Sequence, residues 1–309
     1  MKRVQAYLLQ ENIQNTNEFT PNETPFINVN NLTVGWKCDL DSFSLKNITF
    51  RVDQAELISI VGPVGSGKSS LLMALLGELQ KISGELTVKG SVFYVSQEPW
   101  IYTDTIRENI LFGNEFDQDK YNTIVKVCCL EHDFKIFPNN DLEMIGEKGI
   151  NLSGGQRARI ALARACYSDS QIYFMDDPLS AVDANVANLL FKNCINGYLK
   201  SKIRVLVTHQ VQHLKDASRI IVLNNGQIQS VGTHDDLSKS FNLNTYCEEL
   251  EEQHKKTSVR HESVSESLFN SNSTLNKFES EKETLLFQSQ VLSLTGSKLA
   301  FSDNVKLIK

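Results

Sequence analysis

The sequence predicts an α/β fold in which a parallel sheet with crossover helices forms the core, joined by an antiparallel β-subdomain and an inserted α-helical subdomain. Three observations predict it. Four apolar runs, Leu57–Val61, Ile172–Asp176, Arg204–Thr208 and Ile220–Leu223, are bounded by helix-like stretches, the arrangement of a buried parallel sheet. The first of them leads straight into Gly62-Pro63-Val64-Gly65-Ser66-Gly67-Lys68-Ser69, which fits G-x-x-x-x-G-K-[ST] between a strand and a helix. Finally, residues 26–52 alternate in polarity whereas residues 104–150 carry a helical period.

Bulk properties narrow the class. At 309 residues with 41% hydrophobic, the chain can hold one large or two ordinary domains with a real core. A net charge of −6 predicts no electrostatic footprint for nucleic acid. Cys38, Cys128, Cys129, Cys166, Cys194 and Cys247 show no C-x-x-C spacing and mostly lie in apolar segments, so they read as reduced, buried thiols rather than a disulfide framework or a zinc site. No apolar run approaches 18 residues, so the polypeptide as written is expected to be soluble.

In chain order, residues 2–12 place Val4, Tyr7 and Leu8 on one helical face, and residues 13–25, rich in Asn, Thr and Pro, read as a linker. Residues 26–249 form the main domain. Phe26–Val34 and Ser44–Val52 look like half-buried strands of an antiparallel sheet, to which Glu85–Val88 and Ser91–Val95 add two more, ending at Gln97. The helical insertion covers about residues 104–165, from Thr105 through the helix-forming Arg157–Ala165. Residues 250–309 are serine-rich with blocks of Glu and Lys and predict a disordered tail. Basic residues stand ahead of Ser258 and Ser263 in that tail, a pattern that suits basic-directed kinases.

The loop at 62–69 has a plain chemistry. Its glycines let the backbone turn N–H groups toward an anion, and the helix that follows through Ser70 aims its partial positive charge at the same point. Phosphate is the anion that fits. Lys68 supplies a point charge for the β- and γ-phosphates, and the Ser69 hydroxyl is placed for Mg²⁺. Asp176, at a buried strand tip, supplies the carboxylate such sites use to hold magnesium.

A second glycine-rich helix start, Leu152-Ser153-Gly154-Gly155-Gln156, is more specific. With it the sequence resembles the nucleotide-binding domain of ATP-binding cassette (ABC) transporters, in which this signature binds the γ-phosphate held by an opposing domain. The resemblance implies further roles: Trp36 stacks on adenine, Gln97 reaches Mg²⁺ and the attacking water, Ser180-Ala181-Val182-Asp183 crosses the dimer, and His209 contacts the γ-phosphate. ATP and Mg²⁺ are the implied ligands. A second nucleotide-binding domain and membrane domains, reached through the helical subdomain, are the implied partners, with nucleic acid excluded.

Over about residues 26–245 the wording is similar to the first cassette of subfamily C exporters, the multidrug-resistance-associated proteins: Glu98-Pro99-Trp100, Ile145-Gly146-Glu147-Lys148-Gly149 and Asp176-Asp177-Pro178-Leu179-Ser180-Ala181-Val182-Asp183. Residues 1–12 also resemble the cytoplasmic end of the last membrane helix before that cassette, which implies a fragment or truncated gene model whose membrane domains lie elsewhere, located at the cytoplasmic face of a membrane. One position departs from most active cassettes: Asp177 stands where a Glu general base is usual. Its side chain is one methylene shorter, and a misplacement of about 1 Å can cost around a hundredfold in rate. The resemblance therefore implies firm ATP binding and slow hydrolysis in this site.

Three functions stay open on the sequence: the first cassette of an ATP-driven exporter of organic anions or drug conjugates, a nucleotide-gated regulatory cassette, and a non-transport ABC ATPase.

Overall fold

The computed structural model describes residues 24–36, 43–146, 149–240 and residue 246. The expectations for residues 1–12, for most of the 13–25 linker and for the 250–309 tail lie outside the described residues. Two sheets organise the rest. Strands β1 (Phe26–Gly35), β2 (Phe43–Val52) and β4 (Gln80–Lys89) form an antiparallel sheet in the order β2-β1-β4. The larger sheet has the order β5-β6-β7-β3-β8-β9. It contains β3 (Leu57–Val61), β5 (Val92–Val95), β6 (Ile172–Asp176), β7 (Ile203–Val207), β8 (Arg219–Asn224) and β9 (Gln227–Gly232), parallel except for the β8–β9 hairpin.

The predicted α/β class agrees with this architecture. Strands β3, β6 and β7 are buried along their whole length, as strands covered on both faces must be. Alternate residues supply two separate cores. Ile58, Ile60, Phe174, Val205 and Ile221 pack with the antiparallel sheet and with Leu71, Leu72 and Leu75 of helix α1 (Lys68–Leu75). Leu57, Tyr173, Met175, Leu206 and Ile220 face the opposite layer of helices.

One assignment is corrected. Val92–Val95 does not join the antiparallel sheet but pairs in parallel with β6, Val92 opposite Ile172 and Val95 opposite Met175. The cause is local: the chain leaves β4 at Gly90, where φ is +117°, and Ser91 then exchanges hydrogen bonds with Gln171, its amide donating to Gln171 Oε1 at 3.1 Å. This edge position carries the chain on toward the tips of the parallel strands.

Between β5 and β6 lie three short helices, α2 (Ile106–Leu111), α3 (Gln118–Val127) and α4 (Glu131–Ile136), followed by α5 (Gly154–Ser168). Thr105 and Asp117 cap α2 and α3, each side chain accepting from the amide three residues on. After β6 come α6 (Ala184–Leu190), a π-helical stretch (Phe191–Tyr198) and, after β9, α7 (His234–Ser240). Among the described residues no helix is long and apolar enough to cross a membrane.

A buried polar clasp joins α2 to α5. Arg164 donates from Nε to the Asn109 carbonyl at 2.7 Å, from one terminal nitrogen to Asn109 Oδ1 at 3.0 Å and from the other to the Trp100 carbonyl at 2.8 Å. Asn109, fully buried, donates in turn to the Tyr102 and Thr105 carbonyls. Removing the guanidinium strands several buried acceptors, and each unsatisfied group costs about 1–3 kcal/mol. Arg164→Met should therefore destabilise the chain by about 2–4 kcal/mol, read as a lower urea midpoint at unchanged m-value. An unchanged midpoint would show that the clasp contributes nothing.

Candidate active site

The site grows from the end of β3. Val61 is buried and Gly62 follows it so closely against β8 that a Cβ would stand 2.1 Å from the Leu223 carbonyl oxygen, so only glycine fits. The loop then bends through Gly65 and Gly67, the latter with φ +100° as N-cap of α1. A two-residue turn at Asn225-Gly226, both with positive φ, braces it: the Gly226 amide donates to the Ser66 carbonyl at 2.9 Å. That brace was not among the predicted features. Its signal was present, since Asn-Gly between two strand-like runs is the preferred tight hairpin.

Lys68, the first residue of α1, is buried and folds back over the loop, donating from Nζ to the carbonyls of Gly62 at 2.9 Å and Pro63 at 3.0 Å. Burial pulls its ammonium below the usual lysine range, opposed by Asp177 and Asp176. Pairing in parallel register places Asp176, the last residue of β6, beside Val207 of β7, and β7 beside β3. The tips of three adjacent strands thereby bring Lys68, Asp176, Asp177 and the Thr208-His209 step to one end of the sheet, where open α/β sheets bind ligands.

Asp177 is held in an unusual state. It adopts φ +45°, its amide donates to the Val207 carbonyl at 3.0 Å, and its side chain is buried with Oδ1 lacking a hydrogen-bond partner. Desolvation pushes its carboxyl up to about 6, helped by Asp176 and resisted by the His209 backbone amide and Lys68. Tyr94 of β5 lies beside Asp176, and burial together with that carboxylate pushes its phenol up to about 12. Tyr94 was missed from sequence because a strand tyrosine carries no mark of what it faces.

The remaining candidates fall in known places. Ser69 is exposed and Ser70 half-buried in the first turn of α1, with Pro63 half-buried and Val64 exposed on the loop. Trp36 is 63% exposed immediately after β1, Gln97 is exposed two residues beyond β5, and His209 is half-buried two residues beyond β7. Ser153 caps α5 in a reciprocal capping box, accepting from the Gln156 amide at 3.2 Å while Gln156 Oε1 accepts from the Ser153 amide at 2.9 Å. Gly154 and Gly155 lie against Ala181, close enough that a Cβ on Gly155 would be 3.2 Å from its carbonyl oxygen. No hydrogen bond among the described residues joins 153–156 to 62–70.

The donor set fits a magnesium nucleotide. Positive-φ glycines cradle an anion, and a Cβ on Gly65 would meet open space. A buried ammonium stands beside two buried carboxylates, and the partnerless Asp177 Oδ1 and Ser66 Oγ await polar partners. Fold and site together define a phosphate-binding-loop nucleotide cassette.

Comparison with known proteins specifies it further. Residues 45–180 match the ABC transporter family. The chain is similar to ATP-binding cassette sub-family C member 4 of Homo sapiens, 44% identical over 241 residues that cover 78% of this chain and 18% of that protein. It is also similar to the probable multidrug resistance-associated protein lethal(2)03659 of Drosophila melanogaster, 45% identical over 214 residues covering 69% of this chain and 16% of that protein. ABC transporter C family member 3 of Dictyostelium discoideum is 47% identical over 213 residues, 68% of this chain and 15% of that protein. The chain belongs to the ABC transporter family, in its subfamily C, and spans less than a fifth of the length of these relatives.

The Asp177 environment generates a test in the magnesium- and nucleotide-free protein. A carboxyl raised from its ordinary 3.8 to about 6 binds protons more tightly when folded, so its cost to stability is full above pH 6 and disappears as the pH falls below about 4. Asp177→Asn should accordingly stabilise the chain by about 1–2 kcal/mol at pH 7.5, after discounting the shift for residual hydration, and the difference should close toward pH 4. A pH-independent difference in unfolding free energy would show that desolvation of this carboxylate is not the cause.

Proposed function

We propose that the chain is the first nucleotide-binding cassette of a subfamily C exporter, binding ATP with Mg²⁺ and turning it over slowly while pairing with a second cassette. The observation that carries this reading is the pair of separate glycine-rich helix starts: the phosphate loop before α1, with its buried lysine, and the exposed Ser153 start of α5, which shares no hydrogen bond with that loop among the described residues. A domain with both can complete a partner's site with one while filling its own with the other.

In this reading Trp36 stacks on adenine. The 62–68 backbone and Lys68 hold the phosphates, while Ser69, Asp176 and Gln97 hold Mg²⁺, which would neutralise charge on the β- and γ-phosphates. Asp177 and His209 face the γ-phosphate and its attacking water. Asp177, one methylene short of a glutamate, reaches that water poorly, which supports firm binding with slow turnover. The 18% coverage of a sub-family C relative supports further cassettes and membrane domains beyond this segment, with the helical insertion as the contact to them and the cytoplasmic face of a membrane as the location. Organic anions and drug conjugates are the proposed cargo class.

Three substitutions test the assignment. Trp36→Ala should weaken ATP binding by roughly ten- to a hundredfold, the equivalent of losing one aromatic–base stack worth about 1–3 kcal/mol. Equal affinity in calorimetry would remove Trp36 from the site. Asp177→Glu should raise turnover when a dimer with a second cassette forms, whereas Ser153→Arg should abolish the partner's hydrolysis and leave ATP binding at Lys68 intact. If the parent already turns over several times per second, or Asp177→Glu leaves the rate of a verified dimer unchanged, the slow-site assignment is wrong.

A further inference from the structure

Three cysteines that the nucleotide site does not use converge in the core. Cys128 ends α3, Cys166 lies in the last turn of α5 and Cys194 lies in the π-helical stretch, and all three are fully buried free thiols. Their sulfurs lie within 4.8 Å of one another, with 3.9 Å from Cys128 to Cys194 and 3.3 Å from Cys166 to Cys194. Buried cysteine alone is ordinary, since the thiol packs as a small hydrophobe. What is not ordinary is that three sulfurs from three separate elements meet tip to tip. One of those elements is a π-helix, a rare conformation frequent at functional sites.

The π-helix is itself held in place. Arg204 of β7 donates to the Ile195 carbonyl at 2.9 Å, and a Cβ on Gly197 would sit 2.8 Å from the Lys192 carbonyl oxygen. At the other apex Cys128 is followed by Cys129 with φ +56°, which stops α3 with the Cys128 thiol turned inward. The triangle is therefore built from fixed backbone at two of its three corners.

We propose that Cys128, Cys166 and Cys194 form a three-sulfur site for a soft monovalent metal ion of the copper(I) class. A metal–sulfur bond of about 2.3 Å sets the sulfurs of a planar trigonal site about 4 Å apart, so the observed spacing needs only small adjustment. Soft thiolate ligands select copper(I), zinc or iron–sulfur clusters. Zinc in a closed structural site takes four ligands, and this cluster offers three.

Charge selects the monovalent ion. Three thiolates in a fully buried apolar site would leave uncompensated negative charge at high cost. The sulfurs already share hydrogen bonds, Cys128 donating to Cys194 and a second thiol–thiol contact joining Cys166 to Cys194. Binding then balances as Cu⁺ forming its strong bond to one sulfur with release of that thiol's proton to solvent, while the two remaining thiols lie within reach as weak neutral donors. No oxidation or reduction is involved, and the occupied site is uncharged.

The test uses the full chain, reduced and kept free of oxygen, given copper(I) as its acetonitrile complex and then challenged with bathocuproine disulfonate. The expected result is one copper retained per chain with sulfur-only neighbours in X-ray absorption. That copper should be lost in Cys194→Ala and Cys166→Ala and kept when Cys38, Cys129 and Cys247 are all changed to Ala. Zinc offered in the same way should not be retained. Removal of all copper from the parent by the competitor, or retention undiminished in the cluster variants, would overturn the proposal. Should the core variants fail to fold, the absorption spectrum of the parent still decides: nitrogen or oxygen neighbours, or a thermal midpoint that copper(I) does not raise, would overturn it too.

Discussion

The whole site depends on one steric constraint, the passage of the chain at Gly62 against the Leu223 carbonyl, where no side chain fits. Because the backbone can pass there, the loop leaves β3 at the centre of the sheet rather than at an edge. Its helix starts where the strand tips of β3, β7 and β6 lie in register. The positions of Asp176, Thr208 and His209 then follow from strand pairing alone. The Asn225-Gly226 turn fixes the remaining freedom by donating into the loop from the β8–β9 hairpin. A local allowance for glycine thus sets the geometry of residues more than a hundred positions apart.

Electrostatics refine what sterics place. Lys68 is buried, and burial of an ammonium is costly unless it is paired. In the described structure its partners are two loop carbonyls together with the field of Asp176 and Asp177. Two buried carboxylates side by side have the converse problem, which appears as the raised proton affinity of Asp177. Polyanion and divalent cation would relieve both at once: phosphate would draw Lys68 off the carbonyls, and the cation would hold the carboxylates ionised. The ligand-free arrangement is therefore poised, with each unfavourable group matched to a charge that the ligand carries.

Much of this was legible in the sequence because the relevant signals are local. Continuous apolar runs marked β3, β6 and β7 almost to the residue, and the spacing of Gly62, Gly67, Lys68 and Ser69 implied both loop and helix. Where the sequence misled, pairing partners decided. Val92–Val95 is a strand in either sheet by propensity, and only its register with Ile172–Met175 places it in the parallel one. Gln227–Gly232 alternates between exposed and half-buried residues at the sheet edge, so β9 was masked by its polar content. The Tyr94 contact to Asp176 and the Arg164–Asn109 clasp are products of tertiary packing that no spacing rule encodes.

Helix α5 gains a mechanical meaning from its attachments. Near its N-terminus Arg159 forms a two-pronged pair with Asp133, at 2.9 and 2.8 Å, and Gln156 of the capping box donates to the same carboxylate at 3.2 Å. Midway, Arg164 grips α2 through Asn109, and farther along Cys166 meets Cys194. A helix held at three levels by α4, α2 and the π-helical stretch cannot shift its first turn alone. Any displacement of Ser153 must carry α2 and α4 with it as one body, because a two-pronged charged pair and a buried guanidinium clasp are lost whole rather than stretched. The exposed start of α5 at Ser153 is in this way tied to the helices inserted between β5 and β6.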